Sequence, residues 1–517
     1  MSPSTARFGR SPPAAGSCHR CRRRSPTSKS WRSESRSMLQ PGPVTARSFV
    51  GGEWRHGPLL HVVAYAYDGR VVANVEEATA ATVDDAVRAA AEAQRQWRRV
   101  PAFRRSALLA DVGRALERRA DALVTALVLN SGKTLKEARA ELERAMATLQ
   151  VTAEEAKRIG GEIIPMDAVP PGAGRLGVAV RVPIGVVAGV TPFNAPLNLA
   201  VHKLAPALAA GNAFVVKPHP HGAVVTNILA EACQEAGIPA GLFNIVQGGA
   251  GVGRALVSHR DVGLVSFTGS GAVGEQITRQ IGLKRSVMEL GGNAPTIVHA
   301  DANLAAAVSA CAEAAFALSG QSCVSTQRIY VHRALAGEFI AALAENARGR
   351  RLGDPLDPTT DLAPLVDENA AIRVEGWIQE ALRGGATLVC GGRRERAAIE
   401  ATVVTDVQPS MRLVCEEVFG PVVTVSVYDE FDAALAAANA GPWGFKAGIF
   451  TNSIDVALRA ARELDFGTVN INGASRARLD HEPSGGTKGS GWGREGPRYA
   501  IEDMTYLRMV SLTNLPR

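Results

Sequence analysis

No apolar run in this 517-residue chain approaches the ~20 residues that span a bilayer, which excludes a transmembrane helix. Acidic residues are all but missing from the first 47 positions, where Glu34 stands alone against ten Lys and Arg, a local charge of +9. Subtracting it from the total of +7 leaves −2 for the remainder, so a nucleic-acid surface on the folded part lacks the charge it would need. The same leader has no apolar core segment and no hydrophobic periodicity. It is not a secretory signal, and residues 1–47 are expected to form a disordered basic leader. The Ala/Arg/Gly bias of the whole chain favours an over-extended reading frame with its true start at Met38; an organellar transit peptide is the alternative. Cysteine is scarce too. Cys18 and Cys21 form a C-x-x-C with no second pair, which argues against zinc, and no metal site is expected. Cys233, Cys311, Cys323, Cys390 and Cys415 show no paired spacing, which points to a reducing cytoplasm.

What is present is an ordinary globular composition, 46% hydrophobic and 21% charged, with room for two or three domains. One stretch organises it: Phe316-Ala-Leu-Ser-Gly-Gln-Ser-Cys323-Val-Ser-Thr-Gln-Arg328. Ala305 to Leu318 has helical apolar spacing, Ser319-Gly320 breaks it, and Arg328 to His332 is β-rich. Cys323 is thereby placed on a polar loop. Most free cysteines are small core hydrophobes. Gly, Gln and Ser around this one suit a thiolate that substrate can reach and backbone N–H groups can stabilise.

The rest of the chain gives the frame. Short strands are expected between Ser48 and Val75, then helices from Thr82 to Arg99, Pro101 to Asn130 and Thr134 to Arg158. From Ile184 strands and helices alternate: strands 185–190, 213–216, 243–246 and 262–267, helices 196–209, 223–235, 250–258 and 271–281. Such alternation gives an α/β fold with a doubly wound parallel sheet, and ligands bind beyond the carboxyl ends of its strands. Three strand-following loops are informative: Thr191-Pro-Phe-Asn-Ala-Pro196, Lys217-Pro-His-Pro-His221 and Thr268-Gly-Ser-Gly-Ala-Val-Gly274. The last opens a helix and offers backbone N–H groups and the Ser270 hydroxyl to a pyrophosphate. A second α/β unit runs from about Glu289 to Gly467, and Tyr499 to Leu512 reads as a terminal strand. Glu289, framed by Met288 and Leu290 and followed by two glycines, is a carboxylate whose burial would raise its pKa toward that of a general base.

Taken together, Met288-Glu-Leu-Gly-Gly292, Gly320-Gln-Ser-Cys323, Glu416-Glu-Val-Phe-Gly-Pro421, Pro192-Phe-Asn194 and Phe267-Thr-Gly-Ser270 resemble the aldehyde dehydrogenase superfamily, in the family's own order from about Phe49 onward. The resemblance implies two doubly wound domains, a modified Rossmann NAD(P)-binding domain over 48–158 and 182–288 and a catalytic domain over 289–475, with 159–181 and 476–517 as oligomerisation arm and C-terminal strand. It implies Cys323 as the nucleophile, forming a thiohemiacetal and then a thioester, Asn194 and the Cys323 N–H as oxyanion donors, and Glu289 as the activator of the hydrolytic water. Lys217, Ser270, Glu417 and Phe419 would hold the dinucleotide, with Thr191, Pro192, Phe193, Phe267, Gly269, Val273 and Leu290 lining the cleft. A homodimer or homotetramer acting on a small-molecule aldehyde is implied, with neither nucleic acid nor membrane as partner.

Departures from the family pattern bear on cofactor and substrate. Pro220 stands where NAD-preferring members often carry Glu, so NAD and NADP both remain open, and His219 or His221 could approach a 2′-phosphate. The segment Asn472 to His481 is similar to the corresponding loop of lactaldehyde, phosphonoacetaldehyde and non-phosphorylating glyceraldehyde-3-phosphate dehydrogenases, which makes Arg476 and Arg478 candidate anion contacts, with Arg144 and Ser322 beside them. The expected substrate is a small polar or anionic aldehyde. The alternatives are a coenzyme A-acylating semialdehyde dehydrogenase, against which Glu289 argues, and a non-catalytic structural protein on the same fold.

Overall fold

A computed structural model of the chain describes residues 42–513. The expectations for the basic leader before residue 42 and for Cys18 and Cys21 lie outside that range. Within it the leader ends sooner than expected, because Val44–Ala46 is a strand that pairs in parallel with Val71–Glu76.

Two large sheets carry the molecule. In the first, five parallel strands lie in the order Arg285–Glu289, Val262–Thr268, Val186–Thr191, Ala213–Pro218 and Phe243–Ile245. Antiparallel strands flank them, Gly491–Trp492 at one edge and Ser48–Val50 with Glu53–Arg55 at the other. The Ala213–Pro218 strand is buried at every position, as a run such as Ala-Phe-Val-Val requires when helices cover both faces. The chain leaves Val186–Thr191 in one direction, then returns to its other side at Val262–Thr268. A crevice opens at such a reversal, beyond the carboxyl ends of the two strands.

The second sheet runs Thr387–Cys390, Thr402–Thr405, Val422–Tyr428, Thr326–His332, Ala294–Val298, Lys446–Phe450 and Thr468–Ile471, parallel except for the first strand. Its contribution to the site comes from the opposite strand ends, which sequence pattern did not show. Cys323 and Glu417 precede their strands, at Thr326 and Val422, whereas Thr191, Lys217, Ser270 and Glu289 end or follow theirs. The carboxyl ends of one sheet thus meet the amino ends of the other.

Three further differences have local causes. The helix expected over 101–130 is two helices, Ala102–Arg118 and Ala120–Ser131, parted at Arg119 (φ −101°, ψ 13°), whose guanidinium together with that of Arg118 bonds Glu235. The preceding helix, Ala80–Trp97, is capped by Thr79, which accepts the Thr82 N–H, so it begins earlier than expected. The tail expected to be all strand is a helix, Pro497–Asp503, before the strand Thr505–Leu512, and that strand pairs antiparallel with Leu176–Pro183. Among the described residues no helix is long and apolar enough to cross a membrane, and no cluster of three His, Cys, Asp or Glu stands ready for a metal.

Candidate active site

A cavity of about 600 Å³ lies where the two sheets meet. Cys323, Glu289 and Asn194 all border it. So do Thr191, Pro192, Phe193, Lys217, Phe267, Gly269, Ser270, Val273, Leu290, Glu417 and Phe419. The structure therefore gathers the expected catalytic and cofactor residues into one space.

The loop that presents Cys323 is bent by three consecutive left-handed residues, Leu318 (φ 54°), Ser319 (φ 52°) and Gly320 (φ 69°). For a non-glycine residue this conformation costs roughly 1–2 kcal/mol, so something must hold it. Glu137 does so from one side. Its Oε2 accepts the Thr134 N–H in a capping box at the helix Leu135–Glu155, while its Oε1 accepts the Leu318 N–H at 2.6 Å. Ser319 Oγ donates to the Ala363 carbonyl at 2.6 Å, and Gln321 Oε1 accepts the Val366 N–H at 2.9 Å. Gly320 can only be glycine here, because a Cβ would run into the Gly420 carbonyl.

The donors beside the sulfur are in place. Asn194 Nδ2 gives one hydrogen bond to the Gln321 carbonyl at 3.0 Å, which leaves its second proton free. The Cys323 N–H has no partner among the described residues. Two fixed, unspent N–H groups at a nucleophile are the makings of an oxyanion hole. Burial, with the negative charge of Glu289 beside it, pushes the Cys323 thiol well above its ordinary range. The sulfur itself is half-buried and borders the cavity, so substrate can reach it.

Glu289 closes its strand, is 2% exposed, and its Oε1 has no hydrogen-bond partner among the described residues. Burial and the nearby Glu495 carboxylate raise its pKa, as expected of a base. Glu495 is held charged by Lys203 Nζ at 3.1 Å and Arg478 at 3.2 Å, and Lys203 also donates to Thr268 Oγ1 at 2.7 Å. Glu417 Oε1 accepts the Gly292 N–H at 3.0 Å, and burial pushes its pKa up to about 7. Lys217 is 9% exposed with no hydrogen bond or ion pair among the described residues, and burial lowers it to about 8. Phe193 and Phe419 meet edge to face, 5.9 Å apart, across the same space.

None of the four candidate substrate residues borders this cavity. Arg144 makes a bidentate bond to Asp480 at 2.9 and 2.7 Å. Arg476 lies 3.9 Å from Glu313 and keeps 31% of its side chain exposed. Ser322 is buried. Arg478, expected as an anion contact, is instead engaged by buried Glu495 and acts on the site from behind, its charge favouring the thiolate of Cys323 and the carboxylate of Glu289. Of the two histidines, His219 borders the cavity but burial lowers it to about 3, and buried His221 bonds the Asn130 carbonyl through Nδ1 at 2.7 Å.

Arg254, Gln276, Gln280 and Arg373, which sequence reasoning missed, also stand on the cavity wall. Val273, Gln276, Ile277 and Gln280 follow the spacing of one helix face, a signal present in the sequence. Arg254 stands midway along Ala250–Ser258, the helix that follows the strand Phe243–Ile245, so the segment after a strand again supplies the wall.

The sequence profile described as the aldehyde dehydrogenase family matches residues 56–510. The chain belongs to the aldehyde dehydrogenase family. Among curated relatives, 3-sulfolactaldehyde dehydrogenase of Priestia aryabhattai is 41% identical over 465 residues, 90% of this chain and 97% of that one. Aspartate-semialdehyde dehydrogenase 1 of Pseudomonas canavaninivorans is 41% identical over 449 residues, 87% and 96% of the two chains. Among solved structures, aldehyde dehydrogenase 21 of Physcomitrella patens, in complex with the reaction product succinate, superposes with a TM-score of 0.90 at 36% identity, covering 92% of this chain and 99% of its own. This dehydrogenase is an NAD(P)-dependent aldehyde oxidoreductase.

The residues present fit a dinucleotide. An ammonium without a hydrogen bond at Lys217, an orphaned buried hydroxyl at Thr191 and the helix start after Ser270 are polar groups that the described residues leave unsatisfied. In this dehydrogenase Gly320→Ala is expected to lower stability by about 2 kcal/mol or more and to depress aldehyde oxidation with it. Thermal unfolding followed beside initial rates checks this, and a wild-type midpoint would show that the loop relaxes.

Proposed function

We propose that the enzyme oxidises a small anionic aldehyde to its carboxylic acid, releasing the product by hydrolysis. The observation that carries this reading is the convergence of Cys323, Asn194, Glu289 and Glu417 on one cavity. Cys323 passes its proton to the Glu289 carboxylate, which returns it to solvent, and the sulfur adds to the aldehyde carbonyl; Asn194 Nδ2 and the Cys323 N–H receive the oxyanion. Bound in the cavity, NAD(P)+ supplies the hydride acceptor that turns the cysteine-bound adduct into a thioester. Glu289, with its raised pKa and an unspent Oε1, takes a proton from water, which then hydrolyses the thioester. Retention of that carboxylate favours water over coenzyme A as the acyl acceptor.

Lys217 and Glu417 are assigned to the adenosine and nicotinamide riboses, Ser270 and its helix to the pyrophosphate, and the remaining wall residues to the rings. Residues 48–158 and 182–288 serve in this reading as the cofactor domain and 289–475 as the catalytic domain. A small anionic aldehyde is in keeping with relatives named for sulfolactaldehyde and aspartate semialdehyde. The five described cysteines are all free, which suits the cytoplasm.

Cys323→Ala should abolish aldehyde oxidation, whereas Glu289→Gln should release one burst of reduced cofactor and then stall, both read by absorbance. Steady turnover in either variant would contradict the assigned roles. The two shifted groups also set a pH window for cofactor binding. Below about 7 Glu417 is protonated and loses acceptor capacity, and above about 8 Lys217 loses its charge, so the dissociation constant should be lowest between these values. Calorimetric titrations from about pH 6 to pH 9 would show the window, and a flat affinity would refute it.

The edge strand Thr505–Leu512 exposes Leu507, Met509, Val510 and Leu512, and we assign it to an oligomer interface, a dimer or tetramer. Light scattering at micromolar concentration is expected to read at least twice the monomer mass; a monomer would overturn the assignment.

A further inference from the structure

The end of the cavity around Lys217 carries two cationic side chains on its wall, Lys217 and Arg254. Arg254 borders the cavity there, from the middle of the helix Ala250–Ser258. It is exposed, and no hydrogen bond or ion pair engages it among the described residues. A Cβ built on the adjoining Gly253 would lie 3.9 Å from Lys217 Cδ, so the two cations rise from neighbouring points of the wall.

No carboxylate among the described residues borders this end. The acidic residues on the cavity wall, Glu289 and Glu417, sit with Cys323. Pro220 opens a short turn, Pro220–Gly222, and its side chain offers neither acceptor nor charge. Glu77, whose charge acts on Lys217, is off the wall, and its Oε1 accepts the Gly249 N–H at 3.2 Å. His219 is on the wall and neutral, able to give or take one hydrogen bond.

A ribose diol is held well by a carboxylate, which accepts from both hydroxyls. A phosphate dianion is repelled by one and favours a guanidinium, whose forked N–H groups match its oxygens. We propose that Arg254, backed by Lys217, receives the 2′-phosphate of NADP and makes this dehydrogenase NADP-preferring. The inference rests on the reading that this cavity takes the dinucleotide.

Calorimetry on the purified full chain with NADP, NAD, adenosine 2′-monophosphate and adenosine 5′-monophosphate tests it. The wild type should bind NADP at least roughly tenfold more tightly than NAD, the scale of one charge-assisted phosphate contact. Arg254→Ala, an exposed change to the best helix former, should weaken NADP and adenosine 2′-monophosphate by about tenfold and move NAD and adenosine 5′-monophosphate by less than about twofold. Arg254→Lys should recover part of the loss. Equal weakening of both dinucleotides, or tighter wild-type binding of NAD, would overturn the proposal and leave the cofactor cavity standing. Failure of both dinucleotides to bind would overturn the proposal and the cavity reading together.

Discussion

The segment Leu290 to Asn293 is the bridge on which the site depends, because it leaves the last parallel strand of the first sheet and enters the second sheet at Ala294. Its hydrogen bonds fix how the two sheets face each other. Gly292 donates to Glu417 Oε1 at 3.0 Å, and Gln327 ties the Gly292 carbonyl at 3.2 Å to the Val418 N–H at 2.8 Å through the two ends of one amide. Asn293 Nδ2 donates to the carbonyls of Val414 and Glu416, and buried Arg328 bonds the Asn293 carbonyl as well as those of Ala437 and Ala438. The glycines permit this closeness: a Cβ at Gly292 would come within 2.7 Å of the Cys323 carbonyl, and one at Gly291 would strike the Glu417 carboxylate. Glu289, Cys323 and Glu417, distant in sequence, are thereby held in one wall.

Such closeness has an electrostatic cost that the surrounding charges offset. Glu289 and Glu495 are both buried, and two neighbouring carboxylates in low dielectric do not both ionise easily. Lys203 and Arg478 settle the division between them, since they hold Glu495 charged and the raised pKa falls to Glu289. Cys323 feels both sides of that division: whenever Glu289 or Glu417 is ionised its charge keeps the thiol proton on, and the charge of Arg478 works to remove it. The nucleophile and the base are therefore set by one buried cluster, and a change to any member of it reaches the sulfur.

Much of this was legible in the sequence, for a physical reason. A wholly buried parallel strand must be an apolar run, and its ligand-facing loop must follow it, so Thr191 to Asn194, Lys217 and Phe267 to Ser270 could be located from pattern alone. Glu289 announced itself as a carboxylate between Met288 and Leu290. The second sheet is harder to read, because its contribution comes from loops that precede strands: Cys323 is legible from the helix that breaks at Ser319-Gly320 and the β-rich run after it, whereas Glu417 is legible from the motif around it. The left-handed turn at Leu318 and Ser319 was not legible, since neither residue favours that conformation and the groups that impose it, Glu137 and Ala363, are far away in sequence. Arg478 was misread for the same reason. Its partner Glu495 lies 17 residues on, in a tail that gives no pattern to follow.

The cavity as a whole is polar in a directed sense. Its acids, Glu289 and Glu417, gather with the sulfur at the carboxyl end of Arg285–Glu289, and its unpaired cations, Lys217 and Arg254, gather at the far side of Val186–Thr191. An elongated ligand with anionic groups toward one end and a cationic ring at the other has only one favourable way to lie in such a field, because the reversed orientation would set like charges against each other at both ends. The low dielectric that raises Glu417 to about 7 and lowers Lys217 to about 8 strengthens that preference for whichever of these groups is charged. Orientation of the cofactor thus draws on the same burial that tunes the base.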